Sequence, residues 1–138
     1  MTSTILVAYD ETEPAQRALE RAATLAQALG ARVIVTSVAP VTTGAGGRSI
    51  GADPVDTDAD HRAELAAARV YLDGEGVAAE YIEAVGHEAG SILEAARERS
   101  ADLIVVGSRE VGVLHRLLGQ SVADAVAHGA HCDVLIVH

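Results

Sequence analysis

The sequence predicts an α/β fold built on an open, five-stranded parallel sheet. Short apolar runs alternate with segments that carry apolar residues at helical spacing, which is the pattern of consecutive β-α-β units. Such units make the strands parallel and place helices on both faces of the sheet. The 138 residues contain no internal repeat and no linker, so we expect one domain over residues 1–138.

The predicted strands are short runs rich in Val, Ile and Leu, at 4–9, 32–39, 78–85, 103–106 and 133–137. The first and fourth show no alternation of polar and apolar residues, which predicts burial on both faces, whereas alternation in the third predicts a sheet edge. The predicted helices span about 14–29, 60–73, 87–99 and 121–128. Thr12 is a possible cap of the first helix and Gly30 is its stop signal.

A Gly-, Asp- and Thr-rich stretch at 42–58 separates the second strand from the second helix. It has no apolar period and is long for an internal loop. Because it follows the second strand, we predict that it is a mobile cover over the strand ends.

The charge of the chain argues against several classes of function. Twenty acidic residues and ten arginines, with no lysine, give a net charge of −10. Such a surface disfavours nucleic-acid backbones and anionic membranes. No run of apolar residues is long enough to span a bilayer, and no basic segment precedes the first apolar run, so no secretory signal is expected. The single Cys132 fits a reducing compartment, and we expect a cytoplasmic protein.

The residues that could bind a metal or catalyse a reaction do not form a convincing set. His128, His131, Cys132 and Asp133 cross a predicted helix–strand boundary, which favours a solvated turn over a zinc site. Cys132 is predicted to be a buried structural thiol, since no basic neighbour in sequence would stabilise its thiolate. No nucleophile elbow and no Cys/His pair of familiar spacing occurs, so we predict neither a metal site nor catalytic residues.

In an open parallel sheet, ligands bind beyond the carboxyl ends of the strands. Asp10 directly follows the first predicted strand, and Val106 and Gly107 stand at the end of the fourth. The Asp10 carboxylate could accept a hydrogen bond from a ribose hydroxyl or an adenine amino group. It could equally help to cap the first helix, and the spacing leaves both roles open.

Four segments, ILVAYD, VIVTSVAP, GHEAGSILEAARERSADLIVVGSR and SVADAVAHGAHCDVLIV, resemble the universal stress protein family over nearly the whole chain. The resemblance implies the adenine nucleotide alpha hydrolase-like fold, with strand order 3-2-1-4-5, and assembly as dimers. It also implies that Asp10, Val38 and Gly107 contact adenine and ribose, and that Val106 lines the base pocket.

One branch of that family binds ATP through a loop of three spaced glycines followed by Ser or Thr. Here the corresponding positions are Gly107, Glu110, Gln120 and Ser121, so two of the three glycines are missing. A Glu110 carboxylate about 5 Å from one phosphate charge would repel it by roughly 3 kcal/mol at an effective dielectric near 20. The resemblance therefore implies weakened triphosphate binding. Candidate contacts in and beside this loop are Arg109, Gly112, Gly119 and Ser121.

These features predict a homodimeric universal stress protein that acts by binding, through an unknown protein partner, and holds ATP or AMP weakly at most. The dimer is expected to form through the apolar final strand, 133–137, which ends the chain and should lie at a sheet edge. A receptor for ATP, AMP or a cyclic nucleotide is the alternative. A slow nucleotide hydrolase is a second alternative, which would require a positioned metal ion and water.

Overall fold

The computed structural model describes residues 2–10, 12–40, 54–86, 88–108 and 122–138. Five strands form one parallel sheet in the order β3-β2-β1-β4-β5. They are β1 Thr4–Ala8, β2 Arg32–Pro40, β3 Ala79–Gly86, β4 Leu103–Gly107 and β5 Asp133–Val137. The described helices are α1 Glu13–Leu29, α2 Pro54–Gly74, α3 Glu88–Glu98 and α4 Val122–Gly129. The predicted fold, strand order and edge positions of β3 and β5 are confirmed.

Helix α1 begins and ends at the predicted signals. The Thr12 hydroxyl accepts a hydrogen bond from the Ala15 N–H at 3.4 Å, and Pro14 lies in the first turn, where no intrahelical donor is needed. Gly30 ends the helix in the left-handed conformation, with φ of 66°, and its N–H bonds to the Ala26 carbonyl.

Helix α2 is longer than the sequence indicated, and the predicted loop at 42–58 is wrong in its last part. The helix begins at Pro54 instead of about residue 60. A proline fits the first helical turn because it has no N–H to satisfy there, so it starts a helix in a stretch that lacks apolar periodicity. Residues 42–53, which carry the rest of the predicted cover, lie outside the described residues.

The sheet separates two apolar cores. Ile5 and Val7 of β1 face α1 and α2, where the helical partners include the small residues Ala18 and Ala22. Leu6 of β1 faces the opposite way, toward α3 and α4. The molecule therefore has three layers, with the sheet in the middle. Among the described residues, no helix is both long and apolar enough to cross a membrane.

Asp102 ties the start of β1 to the start of β4. Its Oδ2 accepts hydrogen bonds from the Ser3 N–H and the Ser3 hydroxyl, both at 2.9 Å, and from the Thr4 N–H at 3.0 Å. Its own N–H donates to the Thr4 carbonyl at 2.9 Å. The hydrogen bonds from Ser3, and then that from Thr4, hold the pKa of the Asp102 carboxyl below its ordinary value of 3.8.

We predict that Asp102→Asn makes the free energy of unfolding depend less on pH in the acidic range. A carboxyl group whose pKa is lowered by folding stabilises the protein above its unfolded pKa, and that contribution disappears as the pH falls through the folded pKa. Urea denaturation from about pH 3 to pH 7 should show wild type losing its advantage over the variant below about pH 4. Asp73→Asn, on the exposed last turn of α2, is the control for loss of one carboxylate. If the difference in free energy of unfolding between wild type and Asp102→Asn stays constant down to pH 3, this role of Asp102 is contradicted.

Candidate functional site

A pocket opens at the carboxyl edge of the sheet, where the ends of β1 and β4 and the middle of β2 meet the starts of three helices. This is the edge at which parallel sheets bind ligands. The described residues that line it are Ala8, Tyr9, Asp10, Thr12, Ala15, Thr36, Glu88, Ile92, Val106, Gly107, Val122 and Ala123. Most are apolar, and the polar groups cluster at a few points, which is the usual character of a small-molecule site.

The Asp10 side chain stabilises the turn that leads into α1. Its Oδ1 accepts hydrogen bonds from the Thr12 N–H at 3.1 Å and from the Thr12 hydroxyl. Thr12 in turn caps the helix. Of the two roles that the sequence left open, the structure thus supports the capping role, because Asp10 holds the cap residue in place. Asp10 also lines the pocket, so the two roles are compatible.

Gly107 lies where helix and strand approach most closely. A Cβ at this position would be 2.5 Å from the Pro14 carbonyl carbon, 2.6 Å from the Pro14 oxygen and 2.8 Å from the Ala15 nitrogen. Only glycine therefore lets the first turn of α1 pack against the end of β4. This packing explains why position 107 is a glycine without any role in binding phosphate. Gly107 is also part of the pocket wall.

The charges around the pocket favour a ligand that donates hydrogen bonds. Asp10 and Glu88 are both in its lining, and no basic side chain is among its described residues. The N-termini of α1, α3 and α4 all lie at this edge, and the N-terminus of a helix carries a partial positive charge. The site thus combines carboxylates with backbone N–H groups, which suits sugar or base donors and a modest negative charge.

The structure brings together only some of the predicted site residues. Asp10, Val106 and Gly107 share the pocket. Val38 is in β2, two residues beyond Thr36, and its side chain is outside the described part. The remaining candidates lie outside the described residues: Arg109, Gly112, Gly119 and Ser121.

Several residues that line the pocket were not predicted from the sequence, among them Thr36, Glu88, Ile92 and Val122. Thr36 had a usable signal, because strand residues two apart lie on the same face and Thr36 precedes Val38 by two. Ile92 had none, since at the sequence level it is indistinguishable from a core residue of an amphipathic helix.

The His- and Cys-containing turn before β5 does not assemble a metal site. His131 contacts Arg97, while Cys132 is half-buried and packs toward the α3–α4 side of the sheet. Burial raises the pKa of the Cys132 thiol, and Asp133 and Asp102 raise it further. Within the described ranges, no three His, Cys, Asp or Glu side chains are arranged to hold a metal ion.

The fold and the site define an α/β protein with a ligand pocket at the carboxyl edge of a 3-2-1-4-5 sheet. The model of the universal stress protein family matches residues 1–138. Among curated relatives, a universal stress protein from Thermus aquaticus is 36% identical, with 99% of each chain covered, and Sll1654 from Synechocystis is 31% identical, over 99% of this chain and 86% of that protein. The crystal structure of a universal stress protein in complex with cAMP superposes with a TM-score of 0.79 at 30% identity, covering 99% of this chain and 97% of that one.

This chain belongs to the universal stress protein family. The family expected from the sequence segments is therefore confirmed.

We predict that Gly107→Ala destabilises the protein by about 1–3 kcal/mol, because the new methyl group overlaps the α1 backbone, which cannot move without disturbing the core. Without this overlap, alanine would stabilise a strand relative to glycine by about 0.5–1 kcal/mol. The sign of the change in the free energy of unfolding therefore tests whether Gly107 contacts the α1 backbone. Gly74→Ala is the matched control, because a Cβ there meets no atom within 4 Å. Urea denaturation of both variants decides the point, and a Gly107→Ala protein as stable as wild type would rule out the close approach.

Proposed function

We propose that this protein is a nucleotide-responsive binding protein whose ligand is an adenine mononucleotide, such as AMP or cyclic AMP. The observation that carries the proposal is the pocket at the strand ends, where Asp10 and Gly107 adjoin apolar walls. The cyclic nucleotide bound by the related protein of 30% identity supports the same ligand class. A base fits the apolar part of such a pocket, and ribose hydroxyls are suitable donors to Asp10.

Charge favours a monophosphate over a triphosphate. Two carboxylates, Asp10 and Glu88, line the described pocket, and the net charge of the chain is −10. Each additional phosphate charge is repelled by these groups, while a helix N-terminus offers only about half an elementary charge in return. By resemblance, Glu110 replaces a glycine of the family's phosphate loop, and a carboxylate beside the phosphates would add to the repulsion.

We propose that the protein acts through binding, as a cytoplasmic homodimer, and without turnover of the nucleotide. Burial raises the pKa of the Cys132 thiol, which fits a structural cysteine rather than a reactive one. In the proposed role, a protein partner binds the nucleotide-bound and the free forms of this protein with different affinity.

The first test is calorimetric titration of the purified protein with AMP, cyclic AMP and ATP. We expect both monophosphates to bind more tightly than ATP. Asp10→Asn should weaken all three by about three- to tenfold, because it removes a charge-assisted hydrogen bond while keeping an acceptor for Thr12. Asp133→Asn is the control, because it removes the same charge at the amino end of β5, on the side of the sheet away from the pocket. It should change the three affinities little.

Glu110→Gly combined with Gln120→Gly then tests the loop. The double change removes the carboxylate and restores both family glycines, so ATP affinity should rise by roughly tenfold to a hundredfold, and AMP affinity should rise less. If wild type already binds ATP more tightly than AMP, the preference for monophosphates is wrong. Phosphate release from ATP in the presence of Mg²⁺ would instead support a hydrolase.

The proposed dimer is tested separately. Val134, Leu135 and Ile136 of β5 are half-buried at the edge of the sheet, and an antiparallel pair of β5 strands would cover them. We expect a dimer in sedimentation at micromolar concentration and a monomer for Val134→Lys, whose charge opposes pairing at the edge. A monomeric wild type would overturn the interface.

A further inference from the structure

Thr36 is a buried polar residue inside the candidate pocket. It pairs in register with Ala8 of β1, and its carbonyl accepts a hydrogen bond from the Tyr9 N–H at 3.0 Å. Its side chain shares a sheet face with Ile34, whose contacts are with the α3–α4 core. The residue is 0% exposed, and it is part of the pocket lining. Thr36 thus belongs to the floor of the pocket and not to its rim.

Among the described residues, the Thr36 hydroxyl has no hydrogen-bond partner. Ser37, the next buried polar residue of β2, differs in this respect, because its hydroxyl donates to Glu64 at 2.8 Å. An unpartnered buried hydroxyl destabilises a fold, and valine would fill the same volume without that penalty. A buried polar group without a partner inside a pocket has a simple explanation in the ligand, which supplies the partner.

We propose that the Thr36 hydroxyl hydrogen-bonds a polar atom on the edge of the ligand's base, and so makes the pocket selective for a nitrogen-bearing aromatic ring. This inference rests on the proposed function, since it assigns a new contact to the same pocket. It places the base deepest in the site, with its edge toward β2.

The surroundings of Thr36 suit a flat ring better than a sugar or a phosphate. Ala8, Ile92 and Val106 provide apolar walls on the same side of the sheet. A phosphate buried there would lose its hydration without gaining a cation, and ribose would leave hydroxyls without partners. Asp10, two residues beyond β1, is better placed to accept hydrogen bonds from the ribose hydroxyls. A heterocycle satisfies the single hydroxyl with one edge atom and fills the apolar space with its faces.

Thr36→Val is the decisive variant, because removing the hydroxyl should change stability and affinity in opposite directions. The free protein should melt about 2–5 °C higher, since an unsatisfied polar group is lost. Its affinity for AMP should fall about three- to tenfold, since the base loses a hydrogen bond. Thr36→Ser restores a hydroxyl and should recover most of the affinity. Thr24→Val is the control, because the Thr24 hydroxyl lies on the exposed face of α1, donates to the Glu20 carbonyl and is not part of the pocket lining.

AMP analogues identify the atom involved. The 1-deaza, 3-deaza and 7-deaza forms and the form without the 6-amino group each remove one polar site from the base. One of the four should bind wild type and Thr36→Val with equal affinity, because its hydrogen bond is already absent. A lower melting temperature for Thr36→Val overturns the inference, since the hydroxyl would then have a partner in the protein. Unchanged AMP affinity in that variant also overturns it, while failure of wild type to bind any adenine nucleotide refutes the proposed function itself.

Discussion

Burial of β1 on both faces is the constraint on which the rest of the fold depends. The strand pairs with β2 on one side and β4 on the other, so every backbone polar group of its centre is satisfied within the sheet. Its side chains alternate between the two cores, with Ile5 and Val7 on one face and Leu6 on the other. A chain with no Phe or Trp can fill both cores only if helices cover both faces closely. The three-layer arrangement follows from that requirement.

Close packing also determines where the pocket lies. The alanine stripe of α1 and the absence of a side chain at Gly107 let the first helical turn rest on the end of β4. This contact fixes the turn that Asp10 and Thr12 stabilise, and it leaves a space between the strand ends and the first turns of α3 and α4. The same backbone geometry therefore packs α1 against β4 and forms part of the pocket wall at Gly107. Asp10 and Glu88 place two carboxylates in the lining of this space.

The strands and most helix ends could be predicted because they depend on local chemistry. A buried strand requires a continuous apolar run, which is visible in the sequence. Thr12 caps the start of α1, and Gly30 ends the helix because its backbone is left-handed there. The start of α2 could not be placed, because a proline in a polar stretch signals a turn and a first helical turn equally well. Strand order came from resemblance to a family, since apolar runs do not state which strands are neighbours.

The sequence by itself determined the alternation of elements, the two-sided burial of the central strands, the acidic composition and Asp10 as the polar residue that follows β1. Only the tertiary structure decided what surrounds that residue. Thr36 and Gly107 are separated by 71 positions in the chain, yet parallel pairing through β1 brings them to one pocket. Whether Gly107 serves a ligand or a helix, and whether the Thr36 hydroxyl has a partner, depends on distances between elements that no local pattern encodes. Such distances arise only when the elements pack, because packing positions the strand ends and helix starts against one another.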